Sequence, residues 1–432
     1  MLDGFFKLSD HGTDLRTEVT AGVTTFLTMA YIIFVNPSVL AVTGMDHGAV
    51  FVATCVSAAL GTLIMGLYAN YPVALAPGMG LNAYFSYGVV QGLGHPWEVA
   101  LGAVFLSGVL FVILSVLPVR QAIVNAIPQS LKFAISAGIG LFLGIVALRN
   151  AGIVVPHPAT MVALGDLTRP EAILACGGFA LTVALASLRL TGAIILALLA
   201  TAATGILTGV SPFEGIVSAP PSLAPTFLAM DVGAALQIGL VTIVFTFLFV
   251  DLFDTAGTLV GVAHRAGLLD ERGRLPRLGK ALLADSTASV MGAALGTSTV
   301  TSYIESAAGT SVGGRTGLTA VTVGVLFLLC IFFAPLAGSV PAYATAPALL
   351  FVACLMSRGL SELDWEDPTE YAPGVVTAIG MPLTFSIATG IGMGFITYTA
   401  IKILSGRARE LGFIVPILAL LFAAKFAFFP MG

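Results

Sequence analysis

Apolar residues along the chain gather into runs separated by short polar breaks, and runs of about 18 to 25 residues cross a bilayer core of about 30 Å as helices. The pattern predicts seven spans near residues 19–36, 48–68, 73–92, 98–117, 129–148, 170–187 and 191–209. Seven more follow near 233–262, 279–296, 297–312, 317–338, 344–358, 370–384 and 386–404. A last apolar stretch, Phe413 to Phe429, is interrupted by Pro416 and carries Lys425, so both an interfacial and a crossing placement stay open. The predicted fold class is therefore an all-α polytopic membrane protein with fourteen transmembrane spans. Because seven is odd, the second seven lies upside down relative to the first, the arrangement of inverted repeats.

Composition agrees with lipid as the solvent. The 432 residues are 57% hydrophobic and only 9% charged, against about 25% charged in ordinary soluble domains. Residues 1–18 carry Asp3, Lys7, Asp10, Asp14, Arg16 and Glu18 before any long apolar run, so the first span reads as retained rather than as a signal peptide. Lys and Arg concentrate on the cytoplasmic side of short loops. With the N-terminus inside, that side receives Arg120, Lys132, Arg189, then Arg265, Arg272, Arg274, Arg277 and Lys280, then Arg315, Arg358, Lys402, Arg407 and Arg409. The expected location is the cell membrane, multi-pass, with a cytoplasmic N-terminus. The charged stretch from His264 to Lys280 reads as a linker between halves.

Other classes are excluded by what is missing. A net charge of -4 offers no basic stripe for nucleic acid. Cys55, Cys176, Cys330 and Cys354 lie far apart in apolar segments and read as packing residues. The five histidines show no HExxH, and no GxxxxGK[ST] is present, so neither a metal site, a cofactor nor an ATP-driven pump is expected. No nucleophile and base pair supports an enzyme. A channel would show ring-like filters in place of an asymmetric acidic cluster.

Two spans depart from helical regularity. The third contains Tyr71-Pro72-Val73-Ala74-Leu75-Ala76-Pro77-Gly78-Met79-Gly80-Leu81-Asn82-Ala83-Tyr84-Phe85, where two prolines and two glycines break the helix. The tenth contains Gly296-Thr297-Ser298-Thr299-Val300-Thr301-Ser302-Tyr303-Ile304-Glu305, whose β-branched and hydroxyl residues suit a short strand. Interrupted backbone at membrane depth survives where it faces protein or a water-filled cavity. Short β pieces near Val73–Ala76 and Ser298–Thr301 are expected to pair, and matched breaks in two halves point to a midplane site.

Acidic residues sharpen that expectation. The eighth span holds Asp251 and Asp254 three residues apart, and the tenth holds Glu305. Each costs about 2.5 to 3.5 kcal/mol in the bilayer centre, and such residues usually mark a substrate or proton route. Asn82, in the first turn after the third-span break, offers an amide that both donates and accepts. Asp285, about one turn into its span, is expected to reach the cytoplasmic interface.

At these motifs the chain resembles the AzgA-like purine permeases, the hypoxanthine, guanine and adenine branch of the nucleobase transporter superfamily. The resemblance rests on Thr25 to Pro37, Pro77 to Phe85, Asp251 to Gly257, and Thr297 to Gly309 with Gly313-Gly314-Arg315-Thr316-Gly317. It implies the uracil transporter fold, with a core from spans one to four and eight to eleven and a gate from the others. The implied divisions are 1–117 (core, first half), 118–231 (gate, first half), 232–338 (core, second half) and 339–432 (gate, second half, with the apolar C-terminal segment). It also implies a purine site of Asn82, Asp251, Asp254 and Glu305 between spans three, eight and ten.

A flat base with N–H edges suits carboxylate acceptors and an aromatic wall, for which Phe253, Tyr84 and Tyr303 are candidates. Asp251, Asp254 and Glu305 are the candidate proton carriers for symport, Asp251 or Asp254 being preferred because of their close spacing. Uracil, xanthine or a sulfate-type anion are the rival solutes on the same fold. The oligomeric state is open, a homodimer included.

Overall fold

The computed structural model describes residues 2–117, 128–237, 241–270 and 275–428, without the side chains of Leu2, Phe253, Arg265 and Phe428. Arg120, Arg272 and Arg274 of the orientation argument, and the Phe253 side chain, thus lie outside the described residues. Among those residues, nine helices are long and apolar enough to cross a membrane.

The first predicted span is two helices, α1 (Leu15–Met29) and α2 (Ile32–Ala41), separated at Ala30 and Tyr31. Asp14 starts α1 by accepting from Thr17 N–H at 2.8 Å, and Asp46 does the same for α3 (His47–Ile64) through Ala49 N–H at 2.7 Å. Strand β1 (Leu75–Pro77) follows, then the short helix α4 (Met79–Ala83), continued by π-helical turns to Gly92. α5 (Trp97–Val116), α6 (Gln129–Asn150), α7 (Pro170–Ser187) and α8 (Ala193–Leu207) complete the first half.

The second half runs α9 (Val241–Arg265), α10 (Leu278–Leu295), β4 (Val300–Ser302) and α11 (Ser306–Ser311), then α12 (Gly317–Cys330), α13 (Ala342–Ser357), α14 (Pro368–Thr384) and α15 (Ile387–Leu404). The C-terminal apolar stretch is one further helix, α16 (Ile414–Phe428), whose Phe422 ring stacks on Phe395 of α15 at 6.3 Å. Among the described residues the predicted spans fall on helices or broken elements, the eighth as a helix only from Val241, and nine helices are long and apolar enough to cross a membrane. A hairpin, β2 (Val154–His157) with β3 (Met161–Leu164), lies between α6 and α7 and was not anticipated from the sequence.

The two extended pieces do pair, one or two residues further along than the sequence suggests. β1 and β4 run antiparallel with Leu75 opposite Ser302, Ala76 opposite Thr301 and Pro77 opposite Val300. Tyr303 N–H to Ala74 C=O and Gly78 N–H to Thr299 C=O, both 2.9 Å, extend the ladder. Its outer edges are closed by side chains. Thr62 serves Leu75, Ser306 Oγ accepts from Ala74 N–H at 3.0 Å, and Ser289 Oγ lies 2.8 Å from Val300 C=O.

Two glycines shape this crossing. Gly296 ends α10 at φ +95°, a left-handed turn that a side chain resists. At Gly78 a Cβ would stand 2.7 Å from the Thr301 side chain, so the strands meet only because it is absent.

Packing falls mainly into two sets. α1–α3, α5, α9, α10 and α12 surround the crossed strands, while α6–α8 and α13–α16 pack on one another. Polar clamps hold the first set together. Glu18 of α1, fully buried, accepts from Thr316 and Thr319 N–H and from the Thr319 hydroxyl at 2.6 Å, so it caps α12. Asn36 of α2 donates to Thr54 at 2.7 Å and to Thr297 at 2.9 Å, binding α2 and α3 to the approach to β4.

Candidate solute site beside the crossed strands

Helix α9 advances about 100° per residue, so Asp251 and Thr255 point nearly together while Asp254 lies about 60° away. That rotation separates two environments. Asp251 is fully buried; its Oδ2 stands 3.0 Å from Ser289 Oγ and its Oδ1 has no hydrogen-bond partner. Asp254 is exposed, and a side chain at the next position along its stripe, Gly257, would enter open space. The Asp254 carboxylate makes no hydrogen bond among the described residues.

Glu305 sits just before α11 and is half-buried. Its Oε1 accepts from the Tyr31 hydroxyl at 2.7 Å, and its carbonyl oxygen lies 3.5 Å from Thr28 Oγ1. Asp254 and Glu305 are near enough to interact electrostatically. Asp254, exposed, and Glu305, half-buried, thus lie within electrostatic reach of one another past the end of β4.

The remaining candidates are placed differently. Asp251 and Tyr303 turn into packed protein, Tyr303 donating its hydroxyl to the Pro77 carbonyl. Asn82 is buried on α4, which packs against α9, and neither of its amide atoms has a hydrogen-bond partner. The Tyr84 ring lies against Phe247 of α9, centroids 5.0 Å apart, and is buried.

Asp285 does not reach an interface. It is fully buried behind β4, accepting from Ser302 at 2.7 Å and from Thr255 at 2.8 Å, while Thr255 in turn accepts from Thr301 at 2.8 Å. The correction has a simple cause: Asp285 stands about two turns into α10, where the tenth-span strand already covers the helix.

The sequence reading missed Tyr31, Thr255 and Ser289. Tyr31 lies within the quoted Thr25–Pro37 motif, but a lone tyrosine in an apolar span gives no sign of a partner 274 residues away. Among the described residues no group of His, Cys, Asp or Glu is placed to hold a metal. Cavities of about 540 and 700 Å³ open elsewhere, beside Glu370 and Tyr398 and beside His47 and Glu214, and neither adjoins Asp254.

Apolar helices, two interrupted spans joined by a two-stranded crossing, and unsatisfied polar groups beside it define a multi-pass membrane transporter. The chain belongs to the permease family whose model, Xan_ur_permease, matches residues 16–425. It is 50% identical to the adenine permease AdeP of Escherichia coli K12 over 428 residues, covering 99% of this chain and 96% of AdeP. It is 45% identical to the guanine/hypoxanthine permease PbuG of Bacillus subtilis 168 over 436 residues, covering 98% of this chain and 99% of PbuG. Among solved structures, the transmembrane domain of the cyanobacterial bicarbonate transporter BicA superposes with a TM-score of 0.67 at 17% identity, covering 88% of this chain and 97% of that one. That likeness concerns the fold.

Proposed function

We propose that this chain imports purine nucleobases, adenine, guanine or hypoxanthine, across the cell membrane by alternating access. The observation that carries the reading is that Asp254, exposed and making no hydrogen bond among the described residues, lies within electrostatic reach of Glu305 past the end of β4. A purine presents N–H donors along its edges, and an ionised carboxylate offers acceptors alone. Glu305 and Asp254 receive those donors, while the buried Asn82 amide, which lacks partners, supplies a donor to a ring nitrogen or carbonyl and an acceptor to an N–H group. The names of AdeP and PbuG support this solute class. An anion such as bicarbonate is disfavoured, since acids at the site repel it.

The wider reading has fourteen spans with the N-terminus inside, the set around the crossed strands being the core and the other set the gate. Rocking of core against gate exposes the site to each side in turn. Asp254 is the coupling group: with no protein partner to hold its charge, it takes a proton outside and releases it inside, giving symport. Asp251, bonded within the core, supports the strand crossing.

Uptake of radiolabelled adenine and hypoxanthine into cells lacking their own purine carriers, with unlabelled bases as competitors, tests the solute. Saturable uptake, competed by purines and lost in Glu305→Ala, is the expected result. Full uptake by Glu305→Ala, or none by the wild-type chain, overturns the reading.

A further inference from the structure

We propose that Tyr31 is a positioning residue for solute recognition: it occupies one carboxylate oxygen of Glu305 and so presents the other, oriented, to the solute. The inference rests on the purine reading in naming the solute, but its geometric core does not.

Tyr31 lies at the interruption between α1 and α2, where the first span leaves its helix, so three of the spans that meet beside the site are broken. Its side chain is 1% exposed, and the phenol O–H reaches Glu305 Oε1 at 2.7 Å. A phenol hydrogen bond to a carboxylate is charge-assisted and directional. Glu305 sits at the start of a six-residue helix and has three side-chain torsions, so without a fixed partner its carboxylate would sample several rotamers. With Oε1 tied down, no second side chain holds the carboxylate among the described residues, and Glu305 is half-buried. Asp254 has no comparable anchor. The two acids are thereby differentiated, one held as an acceptor and one left free.

The test compares wild type, Tyr31→Phe, Glu305→Gln and the double variant in the uptake assay. Losing a hydrogen bond to a charged group is worth about a 10- to 100-fold change. Tyr31→Phe is expected to raise KM for the base by that factor with Vmax within about twofold, and to have a clearly smaller effect in the Glu305→Gln background, where the bond loses its charge assistance. An unchanged KM, a fall in Vmax alone, or an equal loss in both backgrounds overturns the proposal.

An infrared measurement on purified protein needs no solute. The carboxylate band that disappears in Glu305→Gln is expected to shift in Tyr31→Phe, and a band that stays in place overturns the contact even if purines prove to be the wrong solute. Failure of wild-type uptake with a shifted band rejects the purine reading and retains the Tyr31 assignment.

Discussion

The Thr62 hydroxyl closes both polar groups of one residue on the facing strand, accepting from Leu75 N–H and donating to Leu75 C=O, each at 2.9 Å. β1 has only one partner strand, so its far edge would otherwise bury a bare donor and acceptor at the centre of the bundle. Orphaned backbone groups of this kind cost about 1 to 3 kcal/mol each. A single threonine on α3 thus permits an interrupted helix at that depth.

Replacing Thr62 by valine keeps the shape and removes both bonds. The expected loss is about 2 kcal/mol or more, read as a lower Tm of the detergent-purified protein. Thr62→Ser, which keeps the hydroxyl, should recover most of it. Equal Tm values for wild type and Thr62→Val would show that the strand edge is satisfied in another way.

Asn82 represents a different balance. Both of its amide atoms are buried without hydrogen-bond partners, a cost that an apolar residue of similar volume avoids. Asn82→Leu is therefore expected to raise Tm by a few degrees while reducing base uptake at least about tenfold, the cost of losing one good polar contact being about that size. Calorimetry and uptake on the same preparation check both halves. A variant that loses stability assigns Asn82 a packing role instead.

Asp254 is predicted to separate coupling from binding. In Asp254→Asn, equilibrium exchange of labelled for unlabelled base should persist, while accumulation driven by an inward proton gradient should disappear. Wild-type accumulation should collapse with a protonophore. Gradient-driven accumulation by the asparagine variant at the wild-type level would remove Asp254 from the proton route.

Acid stability is tied to the start of α14. Asp367 accepts from Thr369 N–H at 2.9 Å and from Arg407 Nη1 at 2.6 Å. These bonds, the Arg407 contact foremost, hold its carboxyl at about 2, below the ordinary carboxylate range. Because the folded value lies under the unfolded one, the stabilisation is complete above about pH 4 and is lost as pH falls toward 2. Wild-type Tm should therefore drop more steeply below pH 4 than that of Asp367→Asn, and parallel curves would contradict the assignment.

Much of the architecture was legible from apolar run length, because a helix in lipid must satisfy its own backbone and so needs an uninterrupted stretch of fixed minimum length. The breaks were legible for the complementary reason. Pro72, Pro77, Gly78 and Gly80 cannot sustain a helix, and Thr297 to Ser302 favour extension. Which acid faces the opening was not legible. Asp251 and Asp254 share a helix face at sequence resolution, and the 60° between them matters only once α10 and β4 cover one side. The β2–β3 hairpin was missed because eight strand residues between two long apolar runs read as a loop.

The sequence alone determined that this chain lives in lipid, that two of its spans are broken at matching places, and that acids accompany those breaks, since each follows from local composition and the energetics of backbone in hydrocarbon. Tertiary structure decided which strand residues face each other, that Glu18 caps a helix 298 residues away, that Asp285 is sealed while Asp254 is open, and that Tyr31 holds Glu305. Those outcomes depend on distances between segments remote in the chain, and no local propensity encodes them.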